Sequence, residues 1–178
     1  MNPEIRYTIL PSPIGNLLLT ASRKGLSGLW IVGEKHCPGV SPQWLEDPSF
    51  FPGPARQLAE YFSGSRSSFD LELDATGTVF QKAAWAALQQ IPHGSTSTYQ
   101  RQAAAIGRPA AVRAVGTANG KNPICIIVPC HRVIGANGSL TGYGGGLSAK
   151  QWLLAHEAGC LPLNLPPLGG SVWICQQG

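Results

Sequence analysis

The hydrophobic pattern of this chain changes period once, at the tetrapeptide DATG (74–77), and that change limits the fold more than any other feature. Before it, apolar residues come in short runs, IRYTIL, NLLLTAS and LSGLWIV, separated by PSPIG and RKG. Short runs between Gly and Pro breakers are the punctuation of an antiparallel meander. PARQLAEYFSG (54–64) then predicts a short helix, started by Pro54 and stopped by Gly64. FDLEL alternates as an edge strand would. After DATG the spacing is helical: Val79, Phe80, Ala83, Ala84, Ala87, Leu88 and Ile91 share one face over 78–91. The expected class is α+β. A small N-terminal α/β domain with an antiparallel sheet covers 1–75, and a mainly helical C-terminal domain covers 76–159. The tail, 160–178, has no period and many breakers, and is expected to be irregular.

Within the second domain, STYQRQAAAIG (97–107) begins with a capping box, Ser97 and Gln100, and ends at Gly107. RPAAVRAVGTANG starts again with Pro109 in its first turn and ends near Gly120. Two short helices around a glycine read as a helix-turn-helix. The second is unusually small-sided, with Ala110, Ala111, Ala114, Gly116 and Ala118, and one long cation, Arg113. Apart from Asn119 it lacks the large polar side chains that read base edges. Such a helix suits close approach to a DNA backbone. It equally suits tight burial against a neighbouring helix. SAKQWLLAHEAG (148–159) is a further helix, capped by Ser148 and ended by Gly159, and ICIIV (124–128) reads as a buried strand.

Charge is unevenly distributed. Residues 1–74 carry eight acids against six Lys or Arg, while residues 75–156 carry no acid and seven cations: Lys82, Arg101, Arg108, Arg113, Lys121, Arg132 and Lys150. That balance favours a polyanion, nucleic acid before a small phosphorylated ligand. No apolar run approaches the roughly 20 residues of a membrane span. The opening MNPEIRYTIL lacks a basic region followed by an apolar one, so a cytoplasmic protein is expected. The five cysteines are an odd number with no CxxC pair, which supports neither a zinc ribbon nor a disulfide framework. His36 beside Cys37 is half a metal site without a partner pair, so no metal is expected. No dimer seam is evident, and a monomer is the default.

The chemistry concentrates in IIVPCHRVIG (126–135), which sets Cys130, His131 and Arg132 side by side after Pro129. A reactive cysteine must become a thiolate, and cations or an imidazole help it do so. Adjacent side chains on an extended strand point to opposite faces, so Cys130 and His131 can cooperate only through a turn or a bridging water. A histidine base also needs an orienting acceptor. Glu157 is the only carboxylate after Asp74 and is the relay member by elimination, if a relay exists. At this level the pair also fits a Cys-His hydrolase or acyl transferase, or a DNA-binding module whose cysteine merely fills a core.

NPICIIVPCHRVIG followed by GSLTGYGGGLSAKQWLLAHE resembles the active-site region of the O6-alkylguanine-DNA alkyltransferases (methylated-DNA–protein-cysteine methyltransferases), nearest the bacterial constitutive type. The resemblance is close from about residue 77 to 159, and SPIGNLLLTASRKGLSGLWIVGEKH extends it more loosely into the N-terminal half. It implies a protein that moves an alkyl group from O6 of guanine, and O4 of thymine, in duplex DNA onto Cys130. It implies base flipping, a single turnover and no cofactor. His131 would be the base through a water, oriented by Glu157, and Asn122 would hold the turn carrying the cysteine. Tyr99 would protonate the leaving guanine and crowd the flipping phosphate. Arg113 would fill the gap left by the base, on a minor-groove helix face made of Ala111, Ala114 and Gly116. Arg132 would add positive potential toward DNA or support the turn. Tyr143 would wall the pocket, the backbones of Cys130 and Val133 would read the guanine edge, and Lys150 would lie nearby. Three positions depart from relatives. Gly144 replaces a serine, leaving backbone alone to recognise oxygen there. Asn119 replaces a bulky apolar residue beside the base, which implies a more open pocket. Gln102 stands where an apolar residue is common.

Overall fold

The computed structural model describes residues 4–161 and 174–175. The meander forms as expected: β1 (Arg6–Leu10), β2 (Leu17–Ser22) and β3 (Gly25–Ile31) pair antiparallel in turn. A fourth strand, β4 (Leu45–Glu46), adds parallel to β1 and gives the order β3-β2-β1-β4. Two residues between Trp44 and Asp47 carry no strand pattern, so β4 is invisible in the sequence. Every residue of β2 is buried, as a strand inside a sheet covered on both faces must be. Helix α1 (Pro52–Phe62) starts two residues before Pro54 and buries Gln57, Leu58 and Tyr61. FDLEL does not become a strand. It makes one bridge, Leu26 to Leu73, while the Gln57 side chain exchanges two 2.8 Å hydrogen bonds with the backbone of Asp70. That amide takes over the ladder's role of satisfying the segment's backbone.

The second half is helical, as its period requires. Helix α2 (Val79–Leu88) carries a complete capping box between Thr78 and Gln81. The short β5 (Ser97–Thr98) leads into α3 (Tyr99–Ala105), whose cap is Thr98 rather than Ser97. Helix α4 (Val112–Gly120) begins three residues after Pro109, which therefore lies in the turn between the two helices. Helices α2, α3 and α4 pack on one another, with the Trp85 indole donating to the Ala118 carbonyl at 2.9 Å. The strand β6 (Val133–Ile134) pairs parallel with β5. Helix α5 (Leu147–Glu157) follows Gly146, so Ser148 sits inside it rather than capping it.

ICIIV is buried but is not a strand. Only Ile124 bridges, to Leu29 of β3, with Leu29 N donating to Pro123 O and Cys125 N to Leu29 O. The chain then coils: Val128 N returns to Ile124 O at 3.0 Å, and Ile126 takes φ of 72°. A β-branched residue in the left-handed region is uncommon and costs about 1–3 kcal/mol. The N-terminal sheet thus holds by hydrogen bonds the segment that leads into Cys130. One core, including Leu17, Leu29, Tyr61, Leu88, Ile124, Val133 and Leu153, runs through both halves.

The tail lies mostly outside the described residues. Its described part pairs β7 (Cys160–Leu161) with β8 (Ile174–Cys175), antiparallel. Cys160 is disulfide-bonded, although the odd cysteine count without a CxxC pair pointed to no disulfide framework.

Candidate active site

The turn that Cys130 and His131 need is present. Cys130–Arg132 form one turn of 3-10 helix after Pro129, and all three side chains are buried. Asn122, eight positions upstream, holds this turn from inside. Its Nδ2 donates to Val128 O at 2.7 Å and to Cys130 Sγ at 3.2 Å, and its Oδ1 accepts from Ile124 N at 3.0 Å. Burial raises the Cys130 pKa, against the Asn122 hydrogen bond and the nearby Lys150 charge, so the resting form is the thiol.

Glu157 sits at the last residue of α5 and is a hub. Its Oε1 accepts from His131 Nε2 at 2.8 Å, Arg132 Nη2 at 3.0 Å and Tyr61 Oη at 2.8 Å. Its Oε2 accepts from Arg132 Nε at 2.9 Å and Gly94 N at 3.2 Å. Burial alone would raise this carboxyl, but hydrogen bonds from His131 and Arg132 and the Arg132 charge hold it well below the usual carboxylate range. An ionised carboxylate only accepts, so the His131 nitrogen facing it carries the proton. That assigns the tautomer: Nε2–H points to Glu157 and the Nδ1 lone pair is available. Nδ1 is buried and has no hydrogen-bond partner among the described residues. Burial lowers the His131 pKa, against the carboxylate, which keeps the imidazole neutral. A neutral imidazole with an uncommitted lone pair is a base.

Arg132 was expected either to add positive potential toward DNA or to support the turn. It is only 7% exposed and is committed to Glu157 and to the Ile91 carbonyl, at 2.6 Å. It therefore stabilises the relay rather than facing a solvent-borne partner. Lys150 is fully buried, and its Nζ donates to Val133 O at 2.6 Å and Thr141 O at 2.9 Å. Burial lowers its pKa to about 8. Val133 O keeps a second lone pair for another donor. The ammonium ties the Cys130 turn to the segment that follows it.

A small pocket opens on Cys130. Asn119, Gly120, Asn122, Cys125, Tyr143, Gly144 and Gly145 line it from the second half, and Trp30, Ile31, His36 and Cys37 from the first. The Tyr143 ring stands edge-on to His131, with centroids 6.4 Å apart. Gly144 and Gly145 admit the N-terminal half: a Cβ would come within 3.3 Å of His36 at Gly144 and 2.7 Å of Ile31 at Gly145. Asn119 reaches this wall, but its amide is paired reciprocally with Gln102, at 2.7 and 2.9 Å. Gln102 also donates to Ala84 O of α2 at 3.0 Å. The two departures flagged separately in the sequence are therefore one buried amide pair, and Asn119 is not a free reader of a base edge.

Tyr99 begins α3, and its hydroxyl donates to Thr141 O at 3.0 Å. Its ring lies against Gly116, where a Cβ would stand 3.7 Å away. Arg113 and Ala114 are exposed on α4, and Ala111 and Gly116 are partly exposed. Tyr61 and Gly94 are site residues that sequence reading missed. They approach from 96 and 63 positions away, and no local motif marks them. No group of three or more His, Cys, Asp or Glu side chains suited to a metal occurs among the described residues.

A two-domain chain with a buried cysteine, a neutral histidine base and a helix-turn-helix beside them defines a narrow class. Two family models match: the ribonuclease-like domain of 6-O-methylguanine DNA methyltransferase over residues 5–75, and its DNA-binding domain over 79–159. The chain is 52% identical over 151 residues to a methylated-DNA–protein-cysteine methyltransferase of Methanosarcina barkeri, covering 85% of this chain and 96% of that protein. It is 49% identical to the Mycobacterium tuberculosis O6-methylguanine methyltransferase, with a TM-score of 0.81 over 86% of this chain and 93% of that one. The structure of M. tuberculosis OGT in complex with DNA aligns at a TM-score of 0.80 and 49% identity, over 86% and 92% of the two chains. The chain belongs to the 6-O-methylguanine-DNA methyltransferase family.

Proposed function

We propose that this protein repairs duplex DNA by moving the alkyl group from O6 of guanine, and from O4 of thymine, onto Cys130 in a single turnover. The observation that carries this reading is the thiol of Cys130 on its 3-10 turn, gripped by Asn122 and opening on a pocket beside a neutral His131. Family membership and the DNA complex of the M. tuberculosis relative support DNA as the partner.

The target atom lies inside a duplex, so the nucleotide is extruded, at a cost of a few kcal/mol. Arg113, exposed on the small-sided α4, fills the space it leaves in the minor groove, with Ala111, Ala114 and Gly116 against the backbone. Tyr143 walls the flipped base, while the backbones of Cys130, Val133 and Gly144 recognise its edge. His131 Nδ1 takes the thiol proton through a water, and Glu157 holds the imidazolium. The thiolate displaces guanine from the alkyl carbon, the C–O6 bond breaks, and a proton delivered from Tyr99 makes guanine the better leaving group. The product is a thioether. A thioether has no easy leaving group, so each molecule acts once. The protein works as a cytoplasmic monomer divided near residue 75, a division supported by the two family matches.

The test is incubation with DNA carrying labelled O6-methylguanine. Label is expected on Cys130, one equivalent per protein, and Cys130→Ser is expected to bind DNA without taking label. Multiple turnover, or binding without transfer by the native chain, overturns the reading.

A further inference from the structure

Resting on that reading, we infer that Tyr61, contributed by α1 of the N-terminal half, is a positioning residue that sets the basicity of His131 by sharing the Glu157 carboxylate. The Tyr61 side chain is completely buried, and its hydroxyl donates to Glu157 Oε1 at 2.8 Å. That is the same oxygen which accepts from His131 Nε2, also at 2.8 Å. Tyr61 therefore competes directly for the acceptor that orients the base. Its placement is fixed from several sides. Its ring packs against Phe62, Phe69, His93 and His156, at centroid distances of 5.3 to 6.1 Å. Its own carbonyl bonds His156 Nε2 at 2.7 Å. Among the described residues only Glu157 bonds this hydroxyl.

The effect has a sign. Each donor on Oε1 withdraws charge density from it, and a carboxylate that already accepts from Arg132 and Tyr61 pulls less on the imidazolium proton. Other charged or titratable groups around the relay are fixed by elements elsewhere. Arg132 neutralises Glu157 from the 3-10 turn, and Lys150 of α5 lies near Cys130. Tyr143 stands at the His131 ring, and His93 and His156 flank Tyr61 and Glu157. Removing the Tyr61 hydroxyl leaves all of these in place and returns acceptor strength to the His131–Glu157 bond. The base then holds its proton more tightly, and the carboxylate loses one of its anchors.

Tyr61→Phe is the direct test, because the ring contacts remain. Two quantities are read: the pH profile of transfer to Cys130, and the titration of the His131 imidazole in protein labelled with ¹⁵N at histidine. The acid limb of the profile and the imidazole titration are both expected to move upward, by about half a pH unit. The plateau rate is expected to fall about three- to tenfold with DNA binding unchanged, because a carboxylate with one anchor fewer positions the imidazole less firmly and this outweighs the stronger base. Replacing the Tyr61 phenol by a 3-fluorophenol, a stronger donor that keeps the packing, should move both readings the opposite way. A limb and a titration that stay fixed in Tyr61→Phe, or that move in the same direction in both proteins, overturn the inference. If the native chain transfers no label, the functional reading fails instead, and the imidazole titration still judges Tyr61.

Discussion

At the scale of single residues, the site is built to keep charge where it is needed and neutral groups where they can react. Glu157 is ionised because five hydrogen bonds converge on it, and Arg132 is tolerated in the interior because Glu157 accepts two of its N–H groups. Breaking such a buried pair by removing one partner costs about 3–5 kcal/mol. Glu157→Gln is therefore expected to lower the thermal midpoint by many degrees, and to abolish the acid dependence contributed by this carboxyl. The sign follows from its lowered pKa. The stability it contributes is complete above the unfolded-state value, near pH 4.3, and is lost as pH falls toward the folded one. His131, also lowered, works in the same direction: stability declines as pH falls below about 6.5, where the unfolded chain binds a proton that the fold resists. Chemical denaturation at several pH values between 7 and 3 should show a steep fall for the native chain and a shallower one for Glu157→Gln. Lys150 makes a separate prediction. Lys150→Met removes the donors to Val133 and Thr141, and is expected to lower the transfer rate at least tenfold with DNA binding retained, measured under single-turnover conditions.

Individual elements show where local sequence informs and where it misleads. The meander, α2, the helix-turn-helix and α5 were all legible, because period and breakers report directly on strands and amphipathic helices. ICIIV was misread as a strand because an apolar run reports burial, not extension. The segment is buried, yet it turns through Ile126 to deliver Cys130. Caps at α3 and α5 were displaced by one or two residues, since Ser97 and Ser148 compete with Thr98 and Gly146 for the role. Within the site, Cys130 and His131 were legible from residue type and adjacency and Glu157 by elimination among the carboxylates, whereas Asn122 came only through the family resemblance. Tyr61 and Gly94 were not, because a hydrogen bond across 96 residues leaves no pattern in either neighbourhood. The Gln102–Asn119 pair was visible only as two unexplained polar residues. It joins α3 to α4 in the interior, and its energetics can be checked. Gln102→Leu alone strands the Asn119 amide and is expected to cost about 1–3 kcal/mol. Asn119→Leu alone should cost a similar amount. The double substitution should recover part of the loss, because neither amide is left unsatisfied. Simple additivity in urea denaturation would mean that the pair is not coupled.

Across the whole molecule, folding changes the meaning of the charge count. The seven cations of residues 75–156 are not seven surface charges. Arg132 is neutralised by Glu157, and Lys150 is buried on backbone carbonyls. Five remain exposed: Lys82, Arg101, Arg108, Arg113 and Lys121. The sequence alone therefore overstated the positive field available to a polyanion, although it had the sign and the half of the chain right. Each phosphate neutralised by a cation contributes about −0.9 to the slope of log affinity against log salt for duplex DNA. If these five supply the electrostatic contacts, the slope for unmodified duplex should be no steeper than about −4.5. Arg113→Ala should make it shallower by about 0.9 if that side chain lies at a phosphate, and by less if it enters the base stack instead. Binding isotherms by fluorescence anisotropy from 50 to 300 mM salt, for the native chain and this variant, make the measurement. A slope well beyond −4.5 would bring cations of the N-terminal half, such as Arg23 or Lys24, into the interface. It would then place DNA across both domains rather than on the helix-turn-helix alone.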